Sequence, residues 1–495
     1  MNTIPLQLAF RPAVRTVIGN VDYTRFEREL QRIDELLTHS GVERDFIERS
    51  LSQYKARAAA AGVKVRDGHI RQCEKQSMVA LRSVILVSLL GESYRGMSRR
   101  LAECALFRWF CQIETLGPIR VPSKSTLQEY AQWLPEAEMR EVVGRLLRAA
   151  DDGKDALHLR NDIELERVWL DSTVVKTNIH FPVDWVLLRD AVRTLMKATQ
   201  LIRKHGLKSR MEDPREFLKA MNRLSIEMTL SRRKAEAKRQ KKRALRRMKK
   251  LVKVVAAHAL RHRELLDKEW EKTDWTRKQA EQVLRRIDGI LEQLPRARKQ
   301  AHERIIGERQ VKNEEKILSL YERETRIIVR GKAEAEVEFG NTLLVSEQEN
   351  GLLVDWKLYR ESAPADSRLF QSSIRRTESL TGVKVKAAAT DRGFDSVDNV
   401  AFLNKRKTFN GICPKNPSEL RRRRYERRFV LLQNRRSSTE GRIGLFKNVF
   451  VGRPMRVKSF ARRELAITWR VLTHNLWVLA RLPQALEEAL LVQAA

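Results

Sequence analysis

Residues Leu165 to Lys176, LERVWLDSTVVK, are dominated by bulky and β-branched side chains, and such a run reads as a β-strand. Alternation puts Trp169, Asp171 and Thr173 on one face and Val168, Leu170 and Val174 on the other. Asp171 is therefore an acid in the middle of an apolar strand. A buried lone carboxylate is strongly unfavourable unless something pairs with it. Either a neighbouring backbone group satisfies Asp171, or the fold must bring other groups to it.

Two further acids stand in similar contexts. Val383 to Thr390, VKVKAAAT, reads as a strand that ends at Asp391, and open α/β sheets place ligands at the carboxyl ends of their strands. The following DRGFDS leads into a helix through Val397 to Asn404, which Asp395 or Ser396 can cap in place of Asp391. A short strand, Thr408 to Cys413, comes next. The stretch Arg435 to Lys447, RRSSTEGRIGLFK, reads as a helix. Its offsets of four and seven residues set Arg436, Glu440 and Lys447 within about 40° of one line. Alone, these three read equally as a surface ion-pair ladder worth ~0.3 kcal/mol per pair.

The remainder of the chain is largely helical in pattern. Residues 1–65 form a helical N-terminal segment for packing or self-association: Tyr23, Phe26, Leu30, Ile33 and Leu37 recur at helical spacing, and Ser40-Gly41 stops the first helix. Residues 66–155 hold a buried helix, Val79 to Leu90, then a helix from Ser93 to Ile113. After Pro122, Ser125 to Gln128 match a capping box that opens a short helix ending near Leu134, with Lys124 at its start. That pattern suits a helix-turn-helix reader of DNA or an ordinary helical hairpin. Residues 160–181 carry the Asp171 strand. Residues 182–325 are helical and basic: thirteen of the residues from Ser231 to Lys253 are Lys or Arg, and a later helical stretch from Trp275 to Tyr321 is broken near Pro295. Residues 326–495 return to strands. Glu336 to Val345 and Leu352 to Tyr359 flank Asn350-Gly351, a type I′ hairpin signal. A helix over Ser367 to Leu380, a cationic run from Arg421 to Arg428 and a C-terminal helix over Arg463 to Leu482 complete the segment.

The net charge of +35 and pI of about 10.4 point to a polyanionic partner, with nucleic acid the first candidate. No apolar run approaches the length of a membrane span, and the N-terminus, MNTIPLQLAFRPAVR, lacks a secretory pattern. Cys73, Cys104, Cys111 and Cys413 are scattered without a CxxC pair, as in a reducing cytoplasm. His258 and His262 have a metal-compatible spacing but no third ligand nearby. Two aspartates on neighbouring strands and a glutamate on a covering helix can converge on a pair of Mg²⁺ ions, which favour oxygen ligands and can clamp both oxygens of a phosphoryl displacement.

With these residues the chain resembles the DDE transposases of bacterial insertion sequences whose third acid lies in a Y-(2)-R-(3)-E-(6)-K signature. Arg436, Glu440 and Lys447 match its last three terms, and Gln433 stands where the family has tyrosine. WLDST around Asp171 and ATDRGFDS around Asp391 look like the family's first and second acid contexts, and STLQEYAQWL is similar to part of its N-terminal helical domain. The resemblance runs from about residue 70 to the end, with 182–325 its least typical part. It implies an α/β ribonuclease-H-like catalytic core, interrupted by a long helical insertion after the first strand and preceded by an all-helical N-terminal region. It implies that Asp171, Asp391 and Glu440 hold two Mg²⁺ or Mn²⁺ ions, that the element's ends are cut, and that the freed 3′-hydroxyl attacks target DNA. Arg436, Lys447, Lys124 and Arg442 are the expected DNA contacts, in a homodimer acting at the nucleoid in the bacterial cytoplasm. A stand-alone nuclease of the same fold and a non-catalytic DNA-binding regulator are the alternatives.

Overall fold

The computed structural model describes residues 16–115, 117–230, 236–332 and 335–485. The N-terminal pattern over residues 1–15 and the first five residues of the cationic run at 231–253 lie outside them. In chain order the helices α1 (Val21–His39), α2 (Val42–Ala60), α3 (Asp67–Leu90), α4 (Tyr94–Glu103), α5 (Ala105–Phe110), α6 (Lys124–Tyr130), α7 (Glu136–Asp151) and α8 (Gly153–Leu157) precede strand β1 (Arg167–Lys176). Then come α9 (Asp184–Lys204), α10 (Pro214–Leu230), α11 (Ala237–Glu269) and α12 (Arg277–Ala301). Strands β2 (Arg326–Lys332), β3 (Ala335–Glu347) and β4 (Leu353–Leu358) follow, then α13 (Asp366–Thr381), β5 (Ala387–Thr390), α14 (Val397–Lys405), β6 (Phe409–Ile412), α15 (Pro417–Arg423), α16 (Arg427–Leu445) and α17 (Phe460–Leu479).

The chain divides into two compact units. The first comprises Met1–Lys176 and Thr342–Ala495, the second Thr177–Asn341. The inserted unit thus starts close to the expected boundary at 182 but ends after 325, because it takes in β2 and the first half of β3.

In the first unit one apolar core runs from Leu30 and Ile33 on α1 through Leu81 and Ile85 on α3, Leu146 on α7, Val168 and Leu170 on β1, Trp356 on β4 and Phe370 on α13 to Leu472 and Leu476 on α17. The described residues of the segments 1–65 and 66–155 share that core with the strands. Gly41, at φ +72°, turns α1 into α2 as the Ser40-Gly41 stop predicts. The helix expected over Ser93 to Ile113 is split: Cys104 takes extended φ and ψ of −102° and 116° between α4 and α5. Ser123, and not Ser125, caps α6, accepting from Thr126 N at 3.2 Å, so the helix starts and ends earlier than its sequence signal. Arg82 on α3 is fully buried. It binds Glu43 at 2.6 and 3.0 Å, reaches Asp34, and donates to Phe110 O at 3.0 Å.

The sheet runs β4-β3-β1-β5-β6 within the first unit, with β2 pairing the opening of β3 in the second. β1 pairs parallel with β5, β5 parallel with β6, and β3 antiparallel with β4. In the β3–β4 turn only Gly351 has positive φ, +95°, whereas a type I′ turn needs two such residues. Gln348 fastens this turn differently: its carbonyl and its side-chain Oε1 accept from Gly351 N at 3.0 and 3.1 Å.

In the second unit α9–α12 bury Leu188, Val192, Leu195, Met248, Val252, Val255, Ile287 and Leu294 in a core of their own. Pro295 does not break α12, whose flanking Leu294, Ala297 and Ala301 are packed; the helix ends in a π-helical turn at His302–Ile306. His262 Nδ1 lies 2.8 Å from the carbonyl of His258, so the pair makes a local helix contact. Among the described residues no single helix is long and apolar enough to cross a membrane.

Removing one partner of a buried, hydrogen-bonded charge cluster costs about 3–5 kcal/mol. Arg82→Ala, which strands Asp34 and Glu43, is expected to lower the chain's stability by that amount in denaturant titration. An unchanged midpoint would show that the cluster contributes nothing.

Candidate active site

The parallel pairing of β1 with β5 aligns Arg167 with Ala387, Val168 with Ala388 and Trp169 with Ala389. Continued by two residues, that register brings Asp391 level with Asp171, on strands about 4.8 Å apart. The charge of Asp391 does act on the Asp171 carboxyl, in keeping with that continuation. Asp171 lies mid-strand, half-buried, its Oδ1 accepting from Ser172 N at 2.7 Å. Asp391 lies just past the end of β5, with Oδ1 accepting from Gly393 N at 2.9 Å, where it caps a 3₁₀ turn at Arg392–Phe394. The helix α14 has its own cap in Ser396, as the sequence allows.

The third acid is carried by α16, and this helix is fastened to the sheet at several points. Trp169 Nε1 on β1 donates to Leu432 O at 2.9 Å. Gln433 Nε2 donates to Thr390 O at 3.1 Å and to Gly411 O at 2.5 Å, bridging the ends of β5 and β6. Arg435 stacks over the Trp169 ring at 4.7 Å, pairs with Glu347 at 2.9 Å and donates to the carbonyls of Gln348 and Glu349. Thr439 adds a hydrogen bond to Glu347 at 2.8 Å. Lys447, in the π-helical turn Phe446–Val451 that continues α16, is buried and donates to Thr173 Oγ1 at 2.9 Å. Residues 433, 440 and 447 are each seven apart, which keeps them near one helix face. Glu440 therefore stands between one anchor on β5 and β6 and another on β1. It is exposed, while Arg436 Nε turns to Gln433 Oε1 at 3.1 Å. The two cations flanking Glu440 engage other partners, which is not the pattern of a simple ion-pair ladder.

Burial pushes the Asp171 carboxyl up to about 6. The Ser172 amide opposes that rise, and the charges of Asp391, Glu440 and Asp366 add to it. Asp366, in the first turn of α13, is a fourth acid that the sequence did not single out. A Cβ placed on Gly393 would meet Asp366 Oδ2 and Asp391 Oδ1 each at 3.1 Å, so both carboxylates close over that glycine. Its sequence signal is slight, an acid opening a helix, which is an ordinary place for one. Among the described residues no three His, Cys, Asp or Glu side chains are grouped closely enough to be ligands of one ion as they stand. The side chains are oxygen donors of the type a hard divalent cation takes, and a cation bound among them would offset the charge that Asp391, Glu440 and Asp366 exert on Asp171.

The other expected contacts fall in different settings. Lys124 is exposed at the start of α6. Arg442 donates to Glu349 O at 2.8 Å, packs within 3.1 Å of a Cβ position on Gly351, and has its guanidinium pushed below its ordinary range by burial.

A carboxyl whose folded pKa is raised favours folding below that pKa and loses the contribution as pH rises through it. Without divalent ions the protein should therefore lose about 2–3 kcal/mol between pH 4 and 6.5 from Asp171. In Asp171→Asn that loss should vanish from the pH profile of thermal unfolding, and an identical profile in the variant would contradict the assignment.

No protein-family model, curated protein or solved structure matches the chain, so its own residues and their geometry carry the functional argument.

Proposed function

We propose that the chain is a DNA transposase that binds the ends of its element and performs metal-dependent strand cleavage and strand transfer on a ribonuclease-H-like core. The observation that carries this reading is that Asp171 on β1 and Asp391 just past the end of the parallel β5 are close enough for charge coupling, beside a helix whose clamped face carries Glu440, a third charge that acts on Asp171. The strand order β4-β3-β1-β5-β6, parallel from β1 to β6, supports the fold, as does the helical unit inserted after β1.

Asp171, Asp391 and Glu440 would hold two Mg²⁺ or Mn²⁺ ions. Such ions, when bound, neutralise the scissile phosphate and activate an attacking water or 3′-hydroxyl. The protein's part is to keep the carboxylates in place. Gln433, in the position of the family's tyrosine, ties the helix to the ends of β5 and β6 and orients Arg436. Arg436 contacts a phosphate of the bound end. Lys447 is buried on β1, so its ammonium supports the face that carries Asp171 and Thr173. Lys124 contributes from α6 to end binding, and Arg442 chiefly secures the Glu349–Gly351 turn. DNA is the substrate in both steps, a homodimer brings two ends together, and the work is done in the bacterial cytoplasm.

Asp391→Asn is expected to fold, to bind DNA, and to lose Mg²⁺-dependent strand cleavage by roughly 10³-fold, equivalent to ~4 kcal/mol of transition-state stabilisation. Cleavage at the wild-type rate by this folded variant would overturn the active-site assignment. Arg436→Ala should weaken binding to the element's end while Mg²⁺ affinity is unchanged; equal loss of both would return Arg436 to a structural role.

A further inference from the structure

The second unit carries a charge pattern that the carboxylate site does not use. In α11 the apolar positions Ala244, Leu245, Met248, Val252, Val255 and Ala259 are buried against the unit's own core. At about 100° per residue they occupy one side of the helix. Arg239, Arg243, Arg246, Lys250 and Lys253 are all exposed, and their spacing of four, three, four and three keeps them within about 40° of a single line on the opposite side. Among the described residues none of these five makes an ion pair. The cations beside the stripe are mostly engaged: Lys238 and Lys242 with Glu308, Arg247 with Glu227 at 3.1 Å, and Lys249 with His302 Nδ1 at 3.1 Å. Beyond Lys253 the same face carries Ala257, Arg261, Glu264 and Lys268; Arg261 lies 2.8 Å from His258 Nδ1, so the unbroken row of unpaired cations ends at Lys253. Its length is about 21 Å.

A helix with cations all round is explained by solubility. Here the acids of the unit neutralise cations on the flanks and leave one straight row untouched. Five unpaired charges aligned over two to three nanometres complement a regular line of negative charge, which the phosphodiester backbone of a duplex supplies, with one charge per 1.7 Å of axis. The stripe has no aromatic side chain for stacking unpaired bases and no Asn or Gln for reading base edges.

We infer that Arg239, Arg243, Arg246, Lys250 and Lys253 form a sequence-independent docking surface for the backbone of duplex DNA. The inference takes from the proposed function only the identity of the polyanion. It does not depend on the carboxylates.

The test is the salt dependence of binding of the full chain to a random-sequence DNA duplex, measured without divalent ions. Five phosphate contacts contribute about −4.5 to the slope of log K against log salt, a weakening of about 500-fold between 50 and 200 mM. Changing the five to Gln should make the slope shallower by about that amount with the thermal unfolding profile unchanged. The pair Arg243→Gln with Arg246→Gln should make it shallower by about 2. The flank variant Lys238→Gln, Lys242→Gln, Arg247→Gln should leave the slope close to wild type. Equal effects from stripe and flank sets would overturn the inference, as would an unchanged slope in the stripe variant. Loss of binding to vesicles of anionic phospholipid with duplex binding intact would assign the stripe to a membrane surface and also overturn it. Mg²⁺-dependent cleavage by Asp391→Asn is read in a separate assay, so failure of the stripe and failure of the cleavage site are separable.

Discussion

A carboxyl carried half-buried in an apolar strand is the constraint on which the rest of the first unit's site depends. Asp171 sits in a strand whose neighbours are apolar, and its carboxyl is pushed up to about 6 before any cation is present. The charges of Asp391 just past β5, Glu440 on α16 and Asp366 on α13 act on it as well. An arrangement of that kind relaxes unless the backbone fixes it. The parallel ladder of β1 and β5 positions the two segments that carry the aspartates, and the amides of Ser172 and Gly393 hold their carboxylates. The fastening of α16 through Trp169, Gln433, Arg435, Thr439 and Lys447 fixes the glutamate.

Much of this was legible in the sequence. The alternation of LERVWLDSTVVK placed Asp171 on a strand and VKVKAAAT placed Asp391 at the end of another, whereas the register between the two strands is not visible in sequence. The hairpin, the helices on either side of β5 and the carrier helix of Glu440 also follow from local pattern. The offsets that grouped Arg436, Glu440 and Lys447 on one face survive with a change of meaning. Arg436 turns to Gln433, and Lys447 turns down to Thr173 in a π-helical turn.

What the sequence concealed depends on long-range contact. Asp366 reads as an ordinary first-turn acid, and only the packing of α13 beside Gly393 brings it to Asp391. Gln433 looked like the loss of a tyrosine, yet its amide spans two strand ends that a sequence cannot show to be adjacent. Pro295 reads as a helix break, and tertiary packing of Leu294, Ala297 and Ala301 carries α12 across it. The cationic run of α11 was visible as composition. Which of its charges are neutralised was not, because the neutralising acids Glu227 and Glu308 come from elsewhere in the unit.

The central claim is that Asp171, Asp391 and Glu440 are one divalent-cation site. Titration of the metal-free protein with Mn²⁺, followed by the loss of the free-ion paramagnetic resonance signal, tests it without DNA or turnover. The account predicts saturable binding at pH 7.5 that weakens as pH falls through about 6, where Asp171 takes up its proton, and that is lost in Asp171→Asn. Binding of equal stoichiometry and affinity in wild type and Asp171→Asn would contradict it.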